Sequence, residues 1–174
     1  MFCFDLEVFQ RPGGVEAYAT PAPWLPAFVV PAANTSVLGR DALGGVYVSC
    51  ELAQSHQRCC LHIDTQGHFA SLGDTVEQAV ALVVALPYWH QLLDECPSGE
   101  LDAMRALAIR LEHETCEDLP DLPLARQDLR GFLELPSLAD PVGRLHELSV
   151  AQAALVTVLS PHGWRYESPI ARAS

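Results

Sequence analysis

The sequence predicts an α+β fold in one domain of 174 residues: an antiparallel sheet from the N-terminal half, several helices packed on one side, and a C-terminal hairpin. Three observations lead there. Residues 1–73 are mostly strands and loops, short runs of β-branched and aromatic residues punctuated by Gly and Pro. Residues 74–148 carry apolar side chains at helical spacing. Residues 149–174 return to β-branched residues with a turn between two runs.

In chain order, Phe2, Phe4, Leu6 and Val8 alternate with Cys3, Asp5 and Glu7, the period-two pattern of a half-buried strand, and Arg11-Pro12-Gly13-Gly14 is a turn. Prolines at 21, 23, 26 and 31 bar a regular helix or central strand over Thr20–Pro31. Trp24, Leu25, Phe28, Val29 and Val30 are therefore expected to pin an extended segment onto the core. Gly44-Gly45 leads into a strand over Val46–Leu52. The polar loop Gln54–Arg58 leads to a second over Cys59–Asp64, and Thr65-Gln66-Gly67 turns into a third over His68–Leu72, an antiparallel meander. The period then changes. Asp74 as N-cap, with Glu77 three residues on, forms a capping box for a helix through Val76, Val80, Leu82, Val83 and Leu86, which Pro87 ends. Tyr88, Trp89, Leu92 and Leu93 mark the core stripe of a short second helix. Leu101, Met104, Leu107, Ala108 and Leu111 give a third, from Glu100 to about Cys116, one apolar face. Leu124, Leu129, Phe132 and Leu133 mark another within Leu122–Leu133, and a last piece spans Pro141–Leu148. Leu155–Leu159 and Trp164–Glu167, joined by Ser160-Pro161-His162-Gly163, read as the closing hairpin.

Composition narrows the function classes. Twenty-two acids face ten bases, all of them arginine, for a formal net charge of −12. That charge opposes nucleic acid and anionic membrane surfaces and favours salt-sensitive encounters with a basic partner. The most apolar stretch, Val76–Leu86, is broken by Glu77 and Gln78 and falls well short of the roughly 20 residues of a membrane span. Met1–Asp5 has neither the basic region nor the apolar run of a signal peptide. The expectation is a cytoplasmic protein whose six cysteines are free thiols acting as small core hydrophobes.

Residues suited to chemistry occur without the spacing that chemistry needs. Cys59, Cys60, His62 and nearby His56 resemble a metal cluster in composition, but on a strand Cys60 and His62 share one face while Cys59 and Leu61 take the other. Structural zinc draws on separated ligand pairs that are missing here, so neither metal nor cofactor is expected. His62, Asp64 and His68 could approach one another across the hairpin as an acid–base set, the basis of an alternative reading as a small hydrolase or nuclease. No nucleophile elbow, phosphate loop or zinc-protease helix accompanies them, and no catalytic residue is assigned. The acids do cluster. Asp94, Glu95, Glu100 and Asp102 gather at one helix junction, and Glu112, Glu114, Glu117 and Asp118 at the next. These eight are the expected partner-binding residues, matched to arginine or lysine on a basic protein.

The stretch Leu38-Gly39-Arg40-Asp41-Ala42-Leu43-Gly44-Gly45-Val46-Tyr47 resembles the Gly-x-Asp-x-x-Gly-Gly-x-aromatic lead-in of SUKH-type immunity proteins. It is followed, as there, by a strand hairpin and a capped helix, so the resemblance covers about residues 37–95. The Leu-Pro-x-x-aromatic helix of that family has only a faint echo in Leu25-Pro26-Ala27-Phe28. The resemblance implies a non-enzymatic bacterial α+β module that neutralises a cognate toxin, often a nuclease, by direct binding. The remaining alternative is a structural subunit of a larger assembly. No feature of the sequence bears on oligomeric state.

Overall fold

Val46-Tyr47-Val48-Ser49-Cys50-Glu51-Leu52 alternates apolar and polar side chains, and this alternation sets one strand at the centre of a sheet with two different faces. The computed structural model describes residues 28–30, 32–53, 55–160 and 162–170. The expected strand at Phe2–Val8, the turn at Arg11–Gly14 and the proline-rich stretch before Phe28, with Trp24 and Leu25, lie outside the described residues.

Six strands and five helices are formed by the described residues: β1 (Phe28–Val30), β2 (Ala32–Arg40), β3 (Val46–Leu52), β4 (Arg58–Ile63), β5 (Phe69–Gly73), α1 (Val76–Ala85), α2 (Trp89–Glu95), α3 (Leu101–Asp118), α4 (Leu122–Phe132), α5 (Pro141–Leu155) and β6 (Thr157–Leu159). Strands β2-β3-β4-β5 form an antiparallel meander in that order, and β1 pairs antiparallel with β6 as a separate ribbon. The fold is α+β.

Val46, Val48 and Cys50 of β3 and Cys59, Leu61 and Ile63 of β4 turn to one face, where Val29 and Val158 from the ribbon, and Val156 just before β6, cover them. Cys60, Ala70 and Leu72 turn to the other, where they meet Leu82, Trp89, Leu92, Met104 and Leu145 from the helices. Helices thus lie on one side of the sheet, and the ribbon closes the opposite side. Each fully buried leucine in such a layer contributes about 1.5–3 kcal/mol. The described cysteines are free thiols, and four of the five are buried. Cys50 and Cys59 oppose each other across β3 and β4 with Sγ atoms 2.9 Å apart, whereas Cys60 sits on the helical face.

Three local expectations are corrected. The N-cap of α1 is Thr75, not Asp74: its hydroxyl accepts from the Gln78 N–H, and the Gln78 side chain accepts from the Asp74 N–H, a capping box displaced by one residue. Asp74 instead pairs with Arg144 on α5 and ties that helix to the end of β5. Helix α5 runs on to Leu155, because Ser149 to Leu155 are compatible with helix and the Ser149 hydroxyl donates to the Leu145 carbonyl. The closing hairpin forms, but its second arm is shortened to a single antiparallel bridge, Arg165 to Leu159. Ser160 N–H donates to Trp164 and Tyr166 N–H to Val158, but β6 takes β1 as its strand partner, and Glu167 bridges to His68.

Helix α4 is held by an ion pair more than by burial, since none of its residues is buried. Arg126 grips both oxygens of Glu112 on α3, at 2.6 and 3.0 Å, and Glu112 also hydrogen-bonds Tyr88. The Arg126 guanidinium, ahead of every other influence, holds the Glu112 carboxyl below its usual range. Replacing Arg126 with methionine is expected to destabilise the fold by about 1–2 kcal/mol in urea unfolding, because Glu112 is left half-buried without its cation. Exchange protection should be lost first over α4.

Candidate functional site

Tyr47, His62 and Ala70 are register partners across β3, β4 and β5, so all three point toward the helices. His62 is 2% exposed. Helix α2 begins directly above it. The His62 ring meets Trp89 at 5.2 Å and 77°, His90 at 4.6 Å and 85°, and Tyr47 at 4.8 Å. A polar ring buried among aromatics needs a hydrogen-bond partner, and His62 finds it 2.7 Å away in Asp41 Oδ2.

The β2–β3 turn delivers that carboxylate. Asp41 Oδ1 accepts the N–H groups of Leu43 and Gly45, which fixes the side chain and leaves Oδ2 aimed at His62. Gly44 takes φ +89°, the left-handed region that favours glycine. Gly45 is required for another reason: a Cβ there would run into His62 Nε2 and lie 2.5 Å from Asp41 Oδ2. The glycine pair shapes the turn and clears the approach of the two side chains. Gly45→Ala is accordingly expected to break the Asp41–His62 hydrogen bond and cost about 2 kcal/mol, measured by urea unfolding.

The electrostatics follow from burial and from this bond. Burial pushes the Asp41 carboxyl up, but His62 and the two backbone N–H groups together outweigh it and hold the acid below its usual range. Burial lowers His62 despite the opposing pull of Asp41. His90 is pushed down to about 4, first by burial and then by His62. One carboxylate and two neutral imidazoles result, and one donor atom from each of Asp41, His62 and His90 lies within 4.8 Å of the others. Beside them is a cavity of about 40 Å³, with Asp64, His68 and Asp94 on its walls. That is room for an ion or a few waters, far below the several hundred Å³ of a pocket for an organic substrate.

The trio expected from the sequence comes together only in part. His62, Asp64 and His68 all line this cavity, but the acid bonded to His62 is Asp41. Asp64 accepts N–H groups from Gln66 and His68 through Oδ1 and faces His68 Nδ1 at 2.9 Å through Oδ2, stapling the β4–β5 turn. Cys59 and Cys60 face opposite sides of β4, and His56 stands in the β3–β4 loop against Glu51, so that candidate cluster does not converge. Asp41 and His90 are the members that sequence reasoning missed.

The eight acids expected to bind a partner lie along α2, α3 and their junctions, and five of them have internal partners. Arg110 is shared by Glu95 and Glu114, and Arg105 by Asp102 and Asp140. Glu112 takes Arg126, and Glu117 lies 3.4 Å from His113. Asp94, Glu100 and Asp118 make no ion pair among the described residues. Where two carboxylates share one arginine, a net negative charge remains, so the surface stays acidic. No helix among the described residues is long and apolar enough to cross a membrane. No family model, curated protein or solved structure matches the chain.

Proposed function

We propose that this protein is a non-catalytic binding module that docks a basic protein across the acidic surface of α3 and α4. The observation that carries the reading is α4 itself. Its sequence Leu122-Pro123-Leu124-Ala125-Arg126-Gln127-Asp128-Leu129-Arg130-Gly131-Phe132 is amphipathic, yet Leu124 is 65% and Phe132 78% exposed, with Leu119 half-exposed just before the helix. Leu124, Asp128 and Phe132 follow at four-residue steps, so apolar and acidic groups alternate along one exposed strip, and Asp121 lies beside it. A partner that buries Phe132 and Leu124 would meet Asp121, Asp128 and the excess carboxylates of α3, which calls for arginine or lysine around an apolar anchor.

The SUKH-like lead-in at Leu38–Tyr47 supports a bacterial immunity protein, resident in the cytoplasm, whose occupant is a cognate toxin such as a basic nuclease. The small volume beside His62 weighs for this over the hydrolase reading.

The test is titration of the purified chain with the toxin domain encoded in the adjacent reading frame, followed by calorimetry and size-exclusion chromatography. A defined complex that weakens as ionic strength rises is expected. Leu124→Ser with Phe132→Ser should weaken it about 30-fold or more while changing stability by less than about 0.5 kcal/mol per site. Absence of a complex, or one indifferent to both substitutions and to salt, would sink the proposal. A stable homo-oligomer burying α4 would favour the structural-subunit reading instead.

A further inference from the structure

We infer that Asp41, His62 and His90 form a binding site for a divalent transition-metal ion of the zinc class, seated between the β2–β3 turn, β4 and the start of α2. The donor set is one carboxylate oxygen and two imidazole nitrogens, which suits zinc and its neighbours and disfavours calcium and magnesium, ions that prefer oxygen throughout. The three residues come from separate elements, spaced 21 and 28 positions apart in sequence, and are brought together only by the fold.

Distances support the assignment. Bonds of about 2.0–2.1 Å in a tetrahedral site place neighbouring donor atoms about 3.3 Å apart. The three donors already lie within 4.8 Å of one another, and Asp41 and His62 stand at 2.7 Å. His90, at the start of α2 and partly exposed, is the one placed to adjust, since Asp41, also partly exposed, is fixed by two backbone N–H groups. Outer support is in place as well: the Leu43 and Gly45 N–H groups orient the Asp41 carboxylate, and Trp89 and Tyr47 pack around His62. Gly45 supplies the space that a Cβ would take from both ligand atoms. The adjoining cavity of about 40 Å³ has room for a water as fourth ligand. Ion binding would exchange the Asp41–His62 hydrogen bond for two metal bonds, the proton on Nε2 of the neutral His62 ring moving to Nδ1 so that Nε2 can coordinate. The inference is independent of the docking face on α4 and stands or falls separately from it.

The probe is zinc alone, titrated calorimetrically into the full chain after chelator treatment, with cobalt as its spectroscopic substitute. One equivalent of zinc and a higher melting temperature are expected. His90→Gln and Asp41→Asn should each weaken binding by about 100-fold or more, while His113→Gln, at an exposed histidine on α3 outside the cavity, leaves it unchanged. Cobalt should give ligand-field bands of a nitrogen and oxygen site without a thiolate charge-transfer band. No saturable uptake overturns the inference, as does uptake that survives His90→Gln or disappears equally in His113→Gln. Should a ligand variant fail to fold, a thiolate band in the unsubstituted protein would place the cobalt on cysteine and overturn it by itself.

Discussion

Trp89→Ala is expected to remove about 3–5 kcal/mol of stability, the range for truncating a large buried aromatic ring. The indole is 2% exposed and belongs to the core between the helices and the sheet, among Leu82, Leu92 and Met104. Two effects add. The cavity left behind lies in the core shared by the sheet and the helices, and a close-packed core collapses only in part around such a gap. The ring also closes one side of His62, at 5.2 Å, and stacks on His90 at 3.5 Å, so its removal admits water to a histidine hydrogen-bonded to Asp41. Trp89→Phe keeps most of the apolar contact and should recover more than half of the loss. Urea unfolding followed by far-ultraviolet circular dichroism reads both variants without depending on the fluorescence of Trp24 and Trp164. A loss of less than about 1 kcal/mol for the alanine variant would mean that α2 is not seated on the sheet as described.

The strands and helices were legible because local chemistry agrees with global packing at most positions. The strand expected over Val46–Leu52 forms with Val46, Val48, Cys50 and Leu52 buried, and Tyr88, Trp89, Leu92 and Leu93 are the buried stripe expected from their spacing. Ambiguity arose where two neighbours offered the same chemistry. Asp74 and Thr75 both cap helices well, and the choice was settled by Arg144, 70 residues away, which claims the aspartate. The last strand has the same explanation: the partner of β6 is β1, a pairing that no local turn encodes.

The candidate site was half legible. His62 was legible as a candidate, in the set with Asp64 and His68. Its acid partner lay 21 residues upstream, inside the Gly-x-Asp-x-x-Gly-Gly turn, where Asp41 belonged to the motif but was not assigned to the site. The signal that could have found it is Asp41 followed by Gly44 and Gly45, an aspartate positioned to accept its own turn's N–H groups with one oxygen left over. His90 carried no such signal, because beside Trp89 in a helical stripe it looks like a surface residue. The acids of α3 were visible as clusters, but spacing alone could not tell that Arg105 joins Asp102 to Asp140 and that Arg110 joins Glu114 to Glu95 on α2.

Acidification should weaken the metal-free protein well before its carboxylates titrate. The usual histidine value is 6.5, and His90 is held down to about 4 by burial and by His62 beside it, with Asp41 and Asp64 pulling the other way. His62 is also lowered by burial, against Asp41. Between those values the unfolded chain binds protons that the folded chain does not. Stability is therefore fully present above about pH 6.5 and is lost as the pH falls toward 4. The His90 displacement sets a ceiling near 3 kcal/mol, and its partial exposure reduces the expected loss to about 2 kcal/mol. Asp41 and Asp64, held below the ordinary 3.8, extend the loss in the same direction at still lower pH. Asp94 also faces this cavity, so Asp94→Asn serves as a control for its field. In chelator, urea unfolding at half-unit steps from pH 7.5 to 3.5 should show a steady fall that begins near 6.5. His90→Gln should flatten the limb between 6.5 and 4 and leave the lower limb in place. A profile level down to pH 4.5, or a slope unchanged by His90→Gln, would show that these imidazoles are not kept neutral by the fold, and the burial of His62 beneath α2 would have to be reconsidered.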